Sequence, residues 1–369
     1  MKVAIIHYWL VNMRGGEKVI EAMLDMFPQA DIFTHVYDPR SISSLINSKH
    51  ILTSKINRLP FAKKLYQLYM PLMPDALMEF NLQDYSLVIS SESGPSKGVV
   101  PNPNAYHICY CHSPMRYLWD MYHEYFSKAN PFVRLFMKRL IPGLRLWDIT
   151  SANLVDCFIA NSNYVANRIK RYYNRDAEVV RPPVDIEKYL SIERKPKDYY
   201  LFFGQLAGYK RADIAIEACL KSGRKLIVAG AGKLGKTIKK SINKTGNSAL
   251  LSIKGRISDD ELKELYSGAK ALLFPGIEDF GIIPVEANAA GCPVIAFREG
   301  GAVETVKENV TGLFFDEQTP ESLIAAMDVF EQDGHNFFDR SLFNNHVQQF
   351  SKDAFIEHIH KVIEKRKRK

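Results

Sequence analysis

The sequence has no long hydrophobic run. No uninterrupted apolar stretch in its 369 residues approaches the roughly 20 residues that a membrane-spanning helix needs. The opening MKVAIIHYWL has one leading Lys and a short apolar run, which is typical of a buried first strand and unlike a secretory signal. We therefore expect a cytoplasmic protein. The length favours two domains of roughly 150–200 residues each.

Cysteine is scarce and is not arranged for metal or disulfide chemistry. There are five cysteines, and no two of them form a C-x-x-C pair, so neither a zinc site nor a disulfide framework is indicated. Cys109 and Cys111 are the two that lie close together, and we expect them to face opposite sides of one strand. All five are interpreted as small core residues.

Acidic residues are missing from two stretches, 39–74 and 125–147, in a chain whose net charge is +8. Both stretches combine Lys and Arg with large apolar residues, as in PFVRLFMKRLIPGLRLW. One interpretation is a solvated basic face beside a core-facing stripe. Another is a surface for anionic lipid or for a lipid-linked substrate. No nucleic-acid recognition motif accompanies the charge, so no nucleic-acid partner is expected.

The octet GAGKLGKT at 230–237 fits G-x-x-x-x-G-K-[ST], the phosphate-binding loop of nucleotide hydrolases. Gly230, Gly232 and Gly235 also fit the dinucleotide pattern G-x-G-x-x-G. A hydrolase needs in addition a strand that ends in a magnesium-binding Asp, and no convincing one follows. A tight turn from a strand into a Lys-rich helix satisfies both patterns. We therefore interpret the octet as a coincidence and keep a nucleotide hydrolase or switch as the alternative.

Short β-branched and apolar runs alternate with helical patterns along the chain. This alternation predicts parallel sheets covered on both faces by helices. The Pro-rich, charged segment 181–198 divides two sets of strands. We predict two doubly wound α/β domains, 1–182 and 183–345, with a C-terminal helix within 346–369 packed back on the first. Ligands of such sheets bind beyond the carboxyl ends of the strands, so we expect the site in the cleft between the domains.

The most informative stretch is FPGIEDFGIIPVEANAAGCPVIAF at 274–297. Glu278 and Glu286 are eight residues apart, and a turn containing Gly281 leads into the helix that carries Glu286. Glycine lets a backbone approach a ligand closely, and a helix start offers free N–H groups to a diphosphate. Taken alone, two such glutamates are more simply exposed helix carboxylates.

This stretch resembles the large group 1 family of retaining glycosyltransferases, which have the GT-B fold and use nucleotide-sugar donors. The E-x7-E spacing and the segment FGIIPVEANAAGCPVIAF resemble that family's pattern. Further similar segments follow in the same order over essentially the whole chain: RGGEK (14–18), YCHSPMRYLWD (110–120), RPPVD (181–185), GQLAGYKRADIAIEA (204–218), KGRISDDELKELYSGAKALLFP (254–275) and GGAVETVKENVTGLFF (300–315).

The resemblance implies a diphosphate site. Lys210 would supply a cation to the donor diphosphate, supported by the amides near Gly16. The family usually has an Arg where this chain has Gln205, so Arg211 or another cation would replace that charge. Fixed cations and a helix start stabilise the leaving diphosphate without reorganisation. The family needs no divalent metal and no cofactor, and no Asp-x-Asp pair stands near the predicted cleft.

The resemblance also implies residues for the sugar, the ribose and the base. Glu286 would bind the ribose hydroxyls, and Glu278 would hold the transferred sugar together with the amides of Gly281, Ile282 and Ile283. His112 would bond a sugar hydroxyl near C6. The backbone of Ile257 would contact the base and Asp259 would accept its protons. Guanine offers one carboxylate two adjacent donors whereas uracil offers one, which favours GDP over UDP.

These features predict a hexosyltransferase that resembles bacterial polysaccharide mannosyltransferases and uses GDP-mannose. The acceptor is expected to be lipid-diphosphate-linked or a saccharide. Because both acid-free stretches lie in the first domain, we expect reversible binding to the anionic inner face of the membrane. A UDP-sugar donor is the alternative within this family.

Overall fold

The computed structural model describes residues 1–232, 249–333 and 339–367. They group into two compact units, Met1–Pro183 with Phe355–Lys369, and Val184–Ala354. The limits expected from the sequence, 1–182 and 183–345 with a return of 346–369, stay a prediction.

The first unit is built on a seven-stranded sheet. Its strands are β1 (Val3–His7), β2 (Asp31–Thr34), β3 (Ile51–Thr53), β4 (Leu87–Glu92), β5 (Tyr106–Cys111), β6 (Cys157–Ala160) and β7 (Ala177–Val179). The spatial order is β3-β2-β1-β4-β5-β6-β7, and every neighbouring pair is parallel. The order reverses direction between β1 and β4. In doubly wound sheets this reversal opens a crevice at the carboxyl ends of the two strands.

Helices cover both faces of this sheet. β1 (VAIIH) is buried along its whole length, with Val3 and Ile5 in one apolar cluster and Ala4 and Ile6 in another. Two of the longer helices begin at side-chain caps, Asn130 before Pro131–Ser151 and Ser162 before Asn163–Tyr173. The α-helices of this unit and the C-terminal helix are Gly15–Met26, Ser44–Asn47, Ala62–Leu65, Met73–Leu77, Tyr122–Lys128, Pro131–Ser151, Asn163–Tyr173 and Lys352–Lys367.

The second unit contains a six-stranded sheet. Its strands are β8 (Tyr200–Phe203), β9 (Leu226–Ala229), β10 (Leu251–Lys254), β11 (Leu272–Phe274), β12 (Val294–Phe297) and β13 (Gly312–Phe315). All neighbours are parallel in the order β10-β9-β8-β11-β12-β13, so the reversal lies between β8 and β11. Among the residues that the structure describes in this unit, the α-helices are Glu187–Leu190, Ala212–Lys221, Asp259–Gly268, Ile282–Ala289, Ala302–Thr305, Pro320–Asp333 and Arg340–Val347. The predicted pair of doubly wound parallel sheets is confirmed.

One expectation about the cysteines is wrong. Cys109 and Cys111 are both buried in the same apolar cluster, beside Phe158 and Val165. Residues two apart in a strand share a face because successive side chains alternate. All five cysteines are free thiols, which agrees with their interpretation as small packing residues without a disulfide framework.

Candidate functional site

In the second unit, Lys210 and Glu278 meet at the reversal point of the sheet. Lys210 ends a short 3-10 turn, Gly208–Lys210, which follows β8, and Glu278 follows β11. Lys210 Nζ lies 2.6 Å from Glu278 Oε1, and both side chains are largely withdrawn from water. A buried charge is costly unless it is paired, so this contact fixes both loops at the carboxyl ends of neighbouring strands.

Two glycines leave room for Lys210, one beside its backbone and one beside its side chain. A Cβ on Gly276 would lie 2.7 Å from the Cα of Lys210, and a Cβ on Gly204 would lie 3.3 Å from its Nζ. Gln205, the position where the family usually has Arg, is exposed beside this turn. The Arg211 guanidinium donates to Asp213 and to Gln318. Its predicted role as a replacement cation stays a prediction.

The helix Ile282–Ala289 begins directly after the Glu278 loop. Gly281, the N-cap residue that precedes this helix, has φ of 95°, and no side chain caps the first turn. The N–H groups of Gly281, Ile282 and Ile283 therefore stand at an uncapped helix start, which carries partial positive charge. Gly301 supports the loop by donating its N–H to the carbonyl of Glu278 at 2.8 Å. The sequence interpretation gave Gly301 no role, although it belongs to the quoted segment GGAVET.

Glu286 belongs to a second group of candidate site residues in the same unit. Burial raises the pKa of its carboxyl to about 7, against the opposing effects of nearby Lys188 and of the Tyr266 hydroxyl. Lys188 Nζ lies 2.6 Å from Asp259 Oδ2, at the exposed first turn of the helix Asp259–Gly268. Ile257 packs against the apolar cluster that includes Tyr266. The structure thus brings the predicted ribose and base residues together, with Lys188 as the member that sequence reasoning missed.

In the first unit, His112 follows β5 and lies close to Gly16. Its Nε2 is 2.8 Å from Ser91 Oγ, its backbone N–H donates to the Glu92 carbonyl, and its carbonyl accepts from Asn161. A Cβ on Gly16 would lie 3.7 Å from His112 Nε2. Burial, followed by the nearby His7, lowers the pKa of the His112 imidazole to about 3. The ring is therefore neutral at physiological pH.

Sequence reasoning missed His7, Glu17 and Ser91, which stand behind His112. His7 Nδ1 lies 3.0 Å from Ser91 Oγ, and His7 and Ser91 are register partners on β1 and β4. Glu17 lies in the first turn of the helix Gly15–Met26, with Oε1 3.7 Å from His7 Nε2. A signal was available, because His7 and Ser91 are polar residues at the carboxyl ends of apolar strands.

A buried arginine holds the segment that carries His112. The guanidinium of Arg168, on the helix Asn163–Tyr173, donates to Ser113 Oγ at 2.7 Å and to Asp120 Oδ1 at 2.5 Å. It also donates to the carbonyl of Pro114. Arg168 therefore connects the loop after β5 to the helix Asn163–Tyr173 through residues on both sides of Pro114.

The described part of GAGKLGKT serves packing. A Cβ on Gly230 would overlap the carbonyl oxygen of Gly204, and one on Gly232 would overlap the carbonyl oxygen of Leu206. These two glycines let the β9 turn lie against the β8 turn. Gly235 and Lys236 lie outside the described residues. Within residues 1–232, 249–333 and 339–367, no group of three or more His, Cys, Asp or Glu side chains is arranged to hold a metal ion.

The chain is similar to known glycosyltransferases along most of its length. A model described as "Glycosyl transferases group 1" matches residues 185–354, and one described as "Glycosyltransferase Family 4" matches residues 13–188. An uncharacterized glycosyltransferase of Methanocaldococcus jannaschii is 32% identical over 133 residues, which are 35% of this chain and 34% of that protein. The GDP-mannose-dependent alpha-(1-6)-phosphatidylinositol monomannoside mannosyltransferase of Mycobacterium tuberculosis is 33% identical over 113 residues, 28% of this chain and 29% of that protein.

These two matches span about a third of the length of the curated relatives. The crystal structure of Anabaena HepE in complex with UDP superimposes with a TM-score of 0.72 at 16% identity, covering 99% of this chain and 100% of that one. Together, the two family models match residues 13–354 without a break. The chain therefore belongs to the group 1 glycosyltransferases and has the GT-B fold.

Proposed function

We propose that this protein transfers a hexose, with retention of configuration, from a nucleotide-sugar donor to a lipid-diphosphate-linked or saccharide acceptor. The observation that carries the proposal is the Lys210–Glu278 contact of 2.6 Å beside the uncapped start of the helix Ile282–Ala289. One cation, one carboxylate and a row of free amides at the reversal point of a parallel sheet suit a sugar diphosphate.

The chemistry follows from where charge develops. Breaking the anomeric C–O bond places negative charge on the nucleoside diphosphate and oxocarbenium character on the sugar. Lys210 and the amides of Gly281, Ile282 and Ile283 would stabilise the departing diphosphate, and they need not reorganise to do so. Glu278 would orient the transferred sugar. No divalent metal takes part in the proposed reaction.

For the donor we propose GDP-mannose. Asp259 stands exposed at a helix start, where its carboxylate can accept both the N1–H and the N2–H of guanine. The mycobacterial relative is described as GDP-mannose-dependent, whereas the Anabaena structure contains UDP. A UDP-sugar is therefore the second candidate. Titration calorimetry with GDP and UDP decides between them: we expect tighter binding of GDP, and equal or tighter binding of UDP would exclude the GDP assignment.

For the acceptor side we propose a lipid-linked molecule in a polysaccharide pathway, reached at an anionic membrane surface. Within the described residues, no helix is both long and apolar enough to cross a bilayer. The helix Pro131–Ser151 instead exposes large apolar side chains, with Phe132 at 79% and Phe136 at 65%, and it also carries the exposed cations Lys138 and Arg139. This combination suits adsorption to an anionic bilayer.

The test of the reaction is release of nucleoside diphosphate from a panel of GDP- and UDP-sugars, with lipid-linked and free saccharide acceptors, in the presence of EDTA. We expect transfer to persist in EDTA. Glu278→Ala should mainly reduce turnover, because this carboxylate acts on the sugar and not on the nucleotide that anchors the donor. Nucleoside triphosphate hydrolysis that requires Mg²⁺, without sugar transfer, would contradict the proposal.

A further inference from the structure

Four side chains form a row that leads from the first helix to His112. Glu17 Oε1 lies 3.7 Å from His7 Nε2, His7 Nδ1 lies 3.0 Å from Ser91 Oγ, and Ser91 Oγ lies 2.8 Å from His112 Nε2. Glu17, His7 and Ser91 are all buried, at 2%, 0% and 0% exposure. His7 Nε2 has no hydrogen-bond partner among the described residues, so the Glu17 carboxylate is the charged group that faces it.

The Glu17 carboxylate determines which atom donates and which accepts at each hydrogen bond of this row. An ionised carboxylate only accepts hydrogen bonds, so the His7 nitrogen that faces it is favoured as N–H. A neutral His7 then has an unprotonated Nδ1, which accepts the hydroxyl proton of Ser91. The Ser91 oxygen is left to accept from His112, whose proton therefore lies on Nε2. At the end of the row, Nδ1 of His112 is unprotonated.

We propose that Glu17, His7 and Ser91 are positioning residues that hold His112 in its Nε2–H tautomer. His112 then presents Nδ1 as a hydrogen-bond acceptor for a hydroxyl of the transferred sugar. Nδ1 has no hydrogen-bond partner among the described residues, and the side chain is partly exposed. The identity of the ligand rests on the proposed function, whereas the tautomer is a property of the protein alone.

Glu17→Gln tests the direction of the row. Glu17 Oε2 accepts the backbone N–H of Arg14 at 2.9 Å, so a glutamine should place its carbonyl oxygen there and turn its NH2 group towards His7. His7 Nε2 must then accept. The bonds at Ser91 reverse, and His112 should become the Nδ1–H tautomer. Long-range 1H–15N correlation spectra at pH 8, with 15N-labelled histidine, read the tautomer directly. The His112 signals are assigned by their loss in His112→Gln.

Ser91 supplies the second variant and Ser90 supplies the matched control. Ser91→Ala should abolish the single tautomer of His112 and lower turnover about tenfold, while the donor KM stays within about twofold. Ser91→Thr should restore both the single tautomer and the turnover. Ser90 Oγ bonds His107 Nε2 at 2.9 Å on the opposite face of β4. Ser90→Ala therefore removes an equally buried Ser–His contact, and it should leave the His112 tautomer and turnover unchanged.

Two results would overturn the inference: a wild-type His112 protonated on Nδ1, or an Nε2–H signal that survives both Glu17→Gln and Ser91→Ala. The spectra require no substrate, so this failure is distinguishable from a failure to detect sugar transfer.

Discussion

At the residue scale, two lysines are candidates for the residue that binds the donor phosphates. Lys210 is paired with Glu278 at the reversal point of the second sheet, whereas Lys236 belongs to GAGKLGKT, outside the described residues. Lys210→Ala removes a charge-assisted hydrogen bond to the diphosphate, which should cost roughly 1.5–3 kcal/mol, or ten- to over a hundredfold in donor-nucleotide affinity. Titration calorimetry measures this loss.

Lys236→Ala is the control for that measurement, since it removes the same side chain from a Lys-rich segment. Donor affinity should stay within a factor of a few. A collapse of affinity with Lys236→Ala, together with a silent Lys210→Ala, would reverse the assignment of the phosphate ligand.

Glu286 makes the stability of the protein depend on pH. Its pKa is raised by burial from 4.5 to about 7, so between these pH values the folded protein keeps a proton that the unfolded chain has released. The free energy of unfolding therefore falls as pH rises through this window, by about 3 kcal/mol from this group. Glu286→Gln removes the titration. In denaturant unfolding, its stability relative to wild type should increase from pH 4.5 to pH 8.

Glu357 provides a comparison, because its contribution to stability should change with pH in the opposite direction. A hydrogen bond from Lys361 lowers the pKa of its carboxyl. Its contribution is therefore present at neutral pH and disappears in acid, so Glu357→Gln should lose stability relative to wild type as pH rises. If Glu286→Gln showed no gain at pH 8, the carboxyl of Glu286 would not be buried as described.

At the scale of elements, the start of the helix Ile282–Ala289 depends on Gly281. Its φ of 95° lies in the left-handed region, and a Cβ there would lie 3.3 Å from Thr305 Oγ1. Gly281→Ala should destabilise the protein by about 1–2 kcal/mol and weaken donor binding, because the amides that face the diphosphate must shift. Thermal unfolding and nucleotide titration measure the two effects.

Gly143 is the matched control for that substitution. It lies inside the helix Pro131–Ser151, and an added Cβ would meet no atom within 4 Å. Gly143→Ala should therefore stabilise the protein by roughly 0.5–1 kcal/mol through helix propensity. Equal losses of stability in both alanine variants would show that the left-handed conformation of Gly281 is not the cause.

At the scale of the whole molecule, the net charge of +8 is unevenly distributed, because two stretches of the first unit contain Lys and Arg but no acidic residue. Phe61 and Leu68 are 74% and 69% exposed in the first acid-free stretch, and the helix Pro131–Ser151 lies in the second. Leu52 from the first stretch and Trp147 from the second pack against a common apolar cluster. We expect the protein to bind anionic vesicles at low salt and to be released as salt is raised.

Lys138→Ala with Arg139→Ala should weaken vesicle binding by about 2 kcal/mol, or roughly thirtyfold in a sedimentation assay. Lys221→Ala with Lys225→Ala is the control, since it removes the same amount of charge from the second unit, where acids pair with both lysines. Indifference of the wild-type protein to anionic vesicles at low salt would exclude the membrane surface.

The sequence by itself determined the two parallel sheets and the family. Continuous apolar strands such as VAIIH and LIVA can be buried only in sheets covered on both faces, and E-x7-E with its companion segments is a local pattern. These properties depend on neighbours along the chain, so they can be read from composition, periodicity and spacing.

Only the tertiary structure decided which side chains meet. Lys210 and Glu278 are 68 positions apart, and His7, Ser91 and His112 come from three separate segments, so strand order and register bring them together. The raised pKa of Glu286 likewise results from burial, which outweighs the opposing charge of Lys188 almost a hundred residues away. Contacts of this kind arise from packing across strands, and no local pattern in the sequence encodes them.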